Sequence, residues 1–294
     1  MAVILDGKTL SEKLRLKIKT SLDDQINKGA TRPFFTAVQV GEDLPSTVYV
    51  RAKQRMCDEV GFGFHHLKLP KDSTMDDVRN AVSSLNNDSA VHALLVQSPL
   101  PSHLNEVEIQ RMVSPSKDVD CFHPENVGLL YINQPRFMPC TAAAVVEMLM
   151  NYNFDPAGKH VVIIGRSVIV GRPLAIMLAL KRRGGNATVT ICHSRTQNLP
   201  EIVRQGDIVV PAVGQAELVK GDWVKEGAVV VDVGINRMPD SSKKRGYRLV
   251  GDAAFDEIEP KAAGIAPVPG GVGPMTVAIL CRNIMVSAGL EPGI

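Results

Sequence analysis

"VVIIGRSVIVGRPLAIMLALKRRG" (residues 161–184) opens on four apolar residues, turns at Gly165, and resumes at Gly171 with a helical apolar pattern. It reads as a buried strand, a tight turn and a helix. Small residues at such a turn let a phosphate approach backbone N–H groups at the helix N-terminus. The glycine spacing is GxxxxxG rather than GxGxxG, so a plain strand–turn–helix also fits.

The next apolar run, "ATVTIC" (187–192), leads into "HSRT" (193–196). Dinucleotide folds place an acid about 20 residues beyond the glycine turn for the ribose of NAD, or an arginine for the 2′-phosphate of NADP. No acid stands here; Ser194 and Arg195 do, with Arg166 in the turn itself. Two guanidiniums and a hydroxyl suit a phosphate, which leans the reading to NADP. Arg195 also fits a solvated loop charge. Further strands are expected at 160–164, 207–213, 228–233 and 247–250. "AVG" (212–214) and "DVGIN" (232–236) follow two of them, and recurring strand-end glycines suit a nicotinamide lying over the sheet edge. "PDSSKKRG" (239–246) reads as an exposed hairpin or loop.

Upstream, Leu10, Leu14, Ile18, Leu22 and Ile26 mark an amphipathic helix over 9–28. Strands are expected at 34–41 and 64–70, a buried strand running into a proline-rich loop over 91–101, and helices at 46–61 and 73–88, the latter with Ser73 as N-cap and Asp76 three residues on. This βαβαβ rhythm predicts a mostly parallel sheet covered by helices. Residues 114–140 read as loop-rich, with Pro115, Pro124, Pro135 and Pro139. Residues 141–153 read as a strong helix, and the tail from Thr276 as an apolar helix with Thr276 as N-cap. The fold class is α/β, with two α/β lobes.

The 294 residues fit roughly two domains. A net charge of +2 argues against nucleic acid or an anionic membrane as partner. The five cysteines are odd in number and never paired as CxxC, which favours reduced thiols over a disulfide or zinc framework, and no metal is expected. The N-terminus has no basic region before its short apolar run, and no apolar stretch approaches the roughly 18 residues that suggest a membrane span. The expectation is a cytoplasmic protein.

In the first half, "STVYVRAKQ" (46–54) puts Tyr49 and Lys53 four apart, on one helix face with Ser46. Gln97 and Ser98 end a buried strand, where ligands collect in open α/β sheets. Asp120 lies in the loop "KDVDC". A lysine that transfers protons gains from burial and a hydrogen-bond partner. Taken singly, Tyr49 also fits a core residue, Lys53 a solvated charge, Gln97 a strand cap and Asp120 a loop salt bridge. Ser with YxxxK also marks short-chain dehydrogenases. There the glycine turn precedes YxxxK; here it follows, and Ser46 is too near Tyr49, so that reading is rejected. "GIAPVPGGVGPMTVAIL" (264–280) is a rigid loop of prolines and glycines that admits a flat ligand or serves as an interlobe turn.

Taken in order, "DGK" (6–8), "VGEDLPSTVYVRAK" (40–53), "VQSPLP" (96–101), "KDVD" (117–120), "PCT" (139–141), "GRSVIVGRP" (165–173), "TVTICHSRT" (188–196), "DVGIN" (232–236) and "PVPGGVGPMT" (267–276) carry a resemblance over essentially the whole chain. The chain resembles the bifunctional methylenetetrahydrofolate dehydrogenase/methenyltetrahydrofolate cyclohydrolase family, of the short bacterial type. That resemblance implies a folate-binding catalytic domain (1–140 plus 276–294) and a Rossmann NADP-binding domain (141–275), with folate held between the lobes and the C-terminal helix returning to the first. It implies a homodimer.

The same resemblance implies that Lys53 is the catalytic lysine of the cyclohydrolase step. It makes Tyr49 the residue that packs on the folate, Gln97 the partner that tunes the lysine, and Asp120 the anchor of the pterin ring. Ser98, Pro99, Leu100, Pro269, Gly270 and Gly271 complete the substrate site. The NADP contacts it implies are Thr141, Gly165, Arg166, Ser167, Val170, Gly171, His193, Ser194, Arg195, Ala212, Val213, Gly214, Val233, Gly234, Ile235, Gly273 and Thr276. The chain departs from the family pattern at Cys121, where glycine is usual, at Ala142, Ala144 and Ala253, and at Leu44 and Pro45. Rival readings are a dehydrogenase with weak cyclohydrolase, and a silent dinucleotide-binding module.

Overall fold

A two-residue strand, β1 (Val3–Ile4), precedes α1 (Gly7–Asn27), which turns Ile18 and Leu22 fully inward and its charges outward. Then follow β2 (Phe34–Val40), α2 (Leu44–Val60), β3 (Gly63–Leu69), α3 (Met75–Asn87) and β4 (Ala93–Val96). Next come α4 (Glu106–Met112), α5 (Pro124–Tyr131) and α6 (Cys140–Asn151). The computed structural model describes residues 1–243 and 246–293; the side chains of Leu44 and Pro45 lie outside the described ones, and with them the departures noted there. The chain divides into two compact units: Glu12–Cys140 with Val277–Ile294, and Met1–Ser11 with Thr141–Thr276.

In the first of these units the sheet order is β3-β2-β4, all parallel. The central β2 has six of its seven residues buried, five of its seven being apolar with Thr36 and Gln39 between them, as a strand covered on both faces allows. Val38, Leu94 and Val96 pack with Val78 and Val82 of α3 and Ile109 of α4. One expectation is corrected here. Thr74, not Ser73, caps α3: its hydroxyl accepts from the Asp77 N–H, and the Asp77 carboxylate accepts from the Thr74 N–H, a capping box one residue later than read. The loop-rich residues 114–140 also hold a helix. Pro124 takes the first helical position, where its missing N–H costs nothing, and α5 runs to Tyr131.

The second unit holds β5 (His160–Ile164), α7 (Gly171–Ala179), β6 (Thr188–Cys192), α8 (Leu199–Gln205), β7 (Ile208–Pro211), β8 (Val229–Val230), β9 (Asn236–Pro239), β10 (Tyr247–Val250), α9 (Phe255–Ile258) and β11 (Gly264–Ile265). Its parallel sheet runs β1-β11-β8-β7-β5-β6 around Val162, Ile164, Val209, Val230 and Ile265. β9 and β10 form an antiparallel hairpin, as 239–246 suggested; Lys244 and Arg245 at its turn lie outside the described residues.

β7 and β8 are shorter than read. After Pro211 the N–H groups of Val213 and Gly214 go to the Asp252 carboxylate instead of a neighbouring strand, and the Gly234 N–H turns back to Asp232. The last helix, α10 (Val272–Ser287), starts four residues before Thr276, which is therefore not its N-cap. Gly271 N–H closes the preceding turn on Pro267 O, Pro274 is tolerated in the first helical turn, and the Thr276 hydroxyl donates back to Val272 O. All five cysteines are buried free thiols, as expected. No helix among the described residues is long and apolar enough to cross a membrane.

Candidate active site

In the first unit, α2 starts where Asp43 accepts from both the N–H and the hydroxyl of Ser46. This fixes the face that the sequence singled out. Ser46 is buried against the carbonyl of Ser98, Tyr49 stands 53% exposed, and Lys53 one turn on is half-buried. Lys53 Nζ donates to Gln97 Oε1 at 2.7 Å. Gln97 is held in that orientation because its Nε2 donates to Ser98 O at 2.6 Å, leaving only the carbonyl oxygen for the lysine.

Burial disfavours the ammonium and pulls the Lys53 pKa below the ordinary 10.5; the Asp120 carboxylate opposes that pull. Cys140 is fully sequestered beside this group. Burial, the Asp120 charge and a hydrogen bond with Asp120 push its thiol well above the usual range, so it is neutral and no nucleophile.

The loops around these residues are braced by groups that sequence reasoning missed. Glu106 of α4 accepts from the Ser98 hydroxyl and the Leu100 N–H, pinning "SPLP", whose Ser98–Pro99 bond is cis. Asp118, two residues before Asp120, accepts from the N–H groups of Phe122 and His123 and from Asn126 Nδ2; burial lifts its pKa to about 6. From α10, Asn283 Nδ2 donates to Val119 O and Met138 O and so ties together the strands of chain on either side of Asp120 and Cys140. The signal for Asp118 was its place in "KDVDC": an acid followed by backbone that must reverse direction needs an acceptor for the freed N–H groups.

Cys121 occupies the left-handed region at φ 65° with its side chain buried. Glycine would take that conformation without strain, which costs another residue about 1–2 kcal/mol. Deleting the buried CH₂–SH loses a comparable burial gain of about 1 kcal/mol. Cys121→Gly is therefore expected to leave the thermal midpoint almost unmoved. Cys121→Val, with a β-branched side chain at positive φ, is expected to cost about 2–3 kcal/mol. Thermal denaturation of both variants checks this, and a stable Val variant would contradict it. Ala142 and Ala144 are fully buried on α6.

The second unit gathers the residues expected at a dinucleotide. Gly165 sits at φ 128°, and a Cβ there would overlap the Ala212 carbonyl; a Cβ on Gly171 would overlap the Gly165 carbonyl. The two glycines let β5, β7 and the N-terminus of α7 meet at backbone distance, leaving a cradle without side chains. Ser167 Oγ accepts from Val170 N–H and Gly171 N–H, which shapes the turn, and Ser167 is exposed beside exposed Arg166.

After β6, His193 Nδ1 accepts from Arg195 N–H and Thr196 Oγ1 accepts from His193 N–H, so Ser194 and Arg195 stand exposed at the tip of a tight turn. Ala212, Val213 and Gly214 follow β7, while Val233, Gly234 and exposed Ile235 follow β8. Gly273 lies beside Ile235. Thr141 and Thr276 meet at 3.5 Å through their hydroxyls. Pro269, after a second cis bond, and Gly270, at φ 111°, form an exposed-to-half-buried loop closed onto the start of α1 by Lys8 N–H to Gly270 O, with Gly271 buried behind it. A backbone cradle flanked by two exposed guanidiniums and two hydroxyls fits a phosphate-bearing dinucleotide.

Comparison with known proteins agrees with both halves. Residues 5–120 match the tetrahydrofolate dehydrogenase/cyclohydrolase catalytic domain, and residues 139–291 match its NAD(P)-binding domain. The bifunctional protein FolD of Chlorobium phaeobacteroides is 46% identical over 286 residues, 97% of this chain and 96% of its own. The crystal structure of the bifunctional FolD dehydrogenase/cyclohydrolase of Campylobacter jejuni superposes with a TM-score of 0.92 at 41% identity, covering 98% of this chain and 99% of that one. The Trypanosoma brucei enzyme, solved with NADP and an inhibitor, gives 0.91 at 40% identity over 98% and 97%. With both domains matched in order and nearly the full length aligned, the chain belongs to the tetrahydrofolate dehydrogenase/cyclohydrolase family.

Proposed function

We propose that this bifunctional folate enzyme uses NADP, and that Lys53 is the proton-shuttling residue of its cyclohydrolase step. The observation that carries the second part is the 2.7 Å bond from Lys53 Nζ to Gln97 Oε1, made by an ammonium whose pKa burial holds down. Such a lysine is partly neutral nearer to working pH and can take a proton.

When bound, NADP supplies the hydride acceptor for 5,10-methylenetetrahydrofolate. The chain contributes position: Tyr49 offers an exposed aromatic face for the folate, Asp120 an acceptor for the pterin edge, and the Pro269–Gly271 loop a surface with little side chain. Thr141, Gly165, Arg166, Ser167, Val170, Gly171, His193, Ser194 and Arg195 would hold the adenosine and phosphate end. Ala212–Gly214, Val233–Ile235, Gly273 and Thr276 would hold the nicotinamide end.

Loss of hydride leaves a methenyl cation shared by N5 and N10. Water adds to that carbon as neutral Lys53 takes one of its protons. The N5–carbon bond then breaks with a proton delivered to N5, the remaining hydroxyl proton leaves, and 10-formyltetrahydrofolate results with one net proton released. Gln97 keeps the lysine aimed throughout.

The test is a two-step spectrophotometric assay, with NADP and NAD in parallel: methenyl formation from methylenetetrahydrofolate, then methenyl decay in a separate reaction. Reduction of NADP without methenyl consumption above background would remove the cyclohydrolase, and no reduction of either dinucleotide would favour a silent binding module. For cofactor choice, Arg195→Ala is expected to lower kcat/KM for NADP relative to NAD by about 10- to 100-fold, the loss of one charge-assisted bond to phosphate. An unchanged ratio would place Arg195 in solvent. We read the enzyme as a cytoplasmic homodimer, supported by the family resemblance and, for the compartment, by its five unpaired thiols; molar mass by light scattering tests the dimer.

A further inference from the structure

Two carboxylates in the second unit have no place in the scheme above. Asp252 is fully buried and Asp232 is 3% exposed, and no ion pair is recorded for either among the described residues. Both are surrounded by donors. Asp252 Oδ2 accepts from Val213 N–H at 2.6 Å and Gly214 N–H at 2.9 Å, and its Oδ1 accepts from Asn236 Nδ2 at 2.9 Å. Asp232 Oδ1 accepts from Gly234 N–H at 2.8 Å and Asp252 N–H at 3.1 Å, and its Oδ2 accepts from Ala253 N–H at 2.7 Å.

At each acid both oxygens face only donors, a pattern that a carboxylate satisfies and an amide does not. The glycines agree. A Cβ on Gly234 would overlap the Asp252 carboxyl, and a Cβ on Gly251 would overlap the Asp232 carboxyl. The chain thus keeps two side-chain-free positions for these two acids. Burial lifts Asp232 to about 7, so the arrangement is costly and not a by-product of packing.

What the acids hold is specific. Asp232 fixes the Gly251–Ala253 segment that carries Asp252. Asp252 then fixes the 212–214 turn through two N–H groups, and the 233–236 turn through Asn236. We propose that Asp252, seated by Asp232, is a positioning residue for the dinucleotide: it sets the spacing of the two turns over which the nicotinamide end lies. The side chain at position 253 does not decide this, because the bond to Asp232 comes from the Ala253 backbone. The proposal rests on the assignment of residues 212–214 and 233–235 to the cofactor site.

The test uses the full-length enzyme. Asp252→Asn keeps an oxygen for Val213 and Gly214 but turns an amide N–H₂ against Asn236 Nδ2. It is expected to lower dehydrogenase kcat/KM for NADP and the NADP binding constant measured by calorimetry by about tenfold or more, while methenyl hydrolysis stays within about twofold. Asn236→Asp added to Asp252→Asn restores donor against acceptor and is expected to recover most of both losses.

Hydrogen exchange of the wild type with and without NADP separates the two claims. Protection by NADP that spares both 212–214 and 233–236 would overturn the site assignment and the proposal together. Protection at those turns, with Asp252→Asn binding NADP as wild type does, would overturn the proposal alone. Loss of both activities in Asp252→Asn and in the double variant would reduce the pair to a folding role and equally overturn it.

Discussion

Lys53→Met is expected to lower methenyl hydrolysis by about 10²- to 10⁴-fold, the contribution typical of a positioned proton-transfer group. Methionine keeps the length and apolar stem of lysine and removes the donor from which Gln97 Oε1 accepts at 2.7 Å. Methylenetetrahydrofolate oxidation should fall much less. Hydride leaves the substrate without any proton being moved by the protein, so that step depends on how folate and dinucleotide are placed. The two-step assay reads both rates from one preparation, and equal losses in the two activities would show that Lys53 positions substrate and does no proton transfer.

The pH profile gives the same claim a sign. Burial pulls the Lys53 pKa down and the Asp120 carboxylate pulls it up. Cys140 adds no charge at working pH, because its thiol is held neutral by a pKa raised well above the usual range. If hydrolysis needs neutral Lys53, kcat rises with pH through the lysine pKa. Asp120→Asn removes the charge that favours the ammonium, so the rise is expected at lower pH than in wild type. Turnover under saturating methenyltetrahydrofolate is the quantity to follow, since Asp120 is also the proposed anchor of the pterin ring. A limb that stays in place in Asp120→Asn would exclude Lys53 as the titrating group.

The parts of this molecule that were legible in its sequence are those where local chemistry and tertiary need coincide. The apolar period of α1, the mostly apolar run of β2 and the glycine turn after β5 each state one structure by themselves. Tyr49, Lys53 and Ser46 could be placed on one helix because their spacing is helical. That Ser46 is buried while Tyr49 is exposed depends on the Ser98 loop, which no spacing reveals.

Where reading failed, a distant partner decided. β1 and β11 are two residues long and carry no period; they exist because each completes a ladder begun elsewhere. α10 starts early because the turn before it closes on Pro267, which makes an N-cap at Thr276 unnecessary. Asp118, Asp232 and Asp252 were not singled out in the sequence. Their work is to accept backbone N–H groups contributed by segments up to 39 residues away in sequence. Only the fold shows which N–H groups are left needing an acceptor.

The dinucleotide side offers an equally large expected effect. Gly171→Ala adds one methyl group, and that methyl would occupy the space of the Gly165 carbonyl. The carbonyl has little freedom to retreat. Gly165 N–H is bonded to Cys192 O, and Gly165 itself is so close to Ala212 O that it too has no room for a Cβ. Relief must come from α7, whose N-terminus would move off the end of β5. A displacement of about 1 Å at a positioned group is enough to cost about 10²-fold in rate. Dehydrogenase kcat/KM for NADP is therefore expected to fall by about that factor, while methenyl hydrolysis, which consumes no hydride acceptor, persists. Gly227→Ala supplies the contrast: at φ 73° with nothing within 4 Å, it pays only backbone strain of about 1–2 kcal/mol and should leave the KM for NADP unchanged. Thermal midpoints of both variants separate a shifted cradle from a weakened unit. If Gly171→Ala used NADP as wild type does, or if both activities fell in parallel with stability, close approach of α7 to β5 would have no part in holding the cofactor.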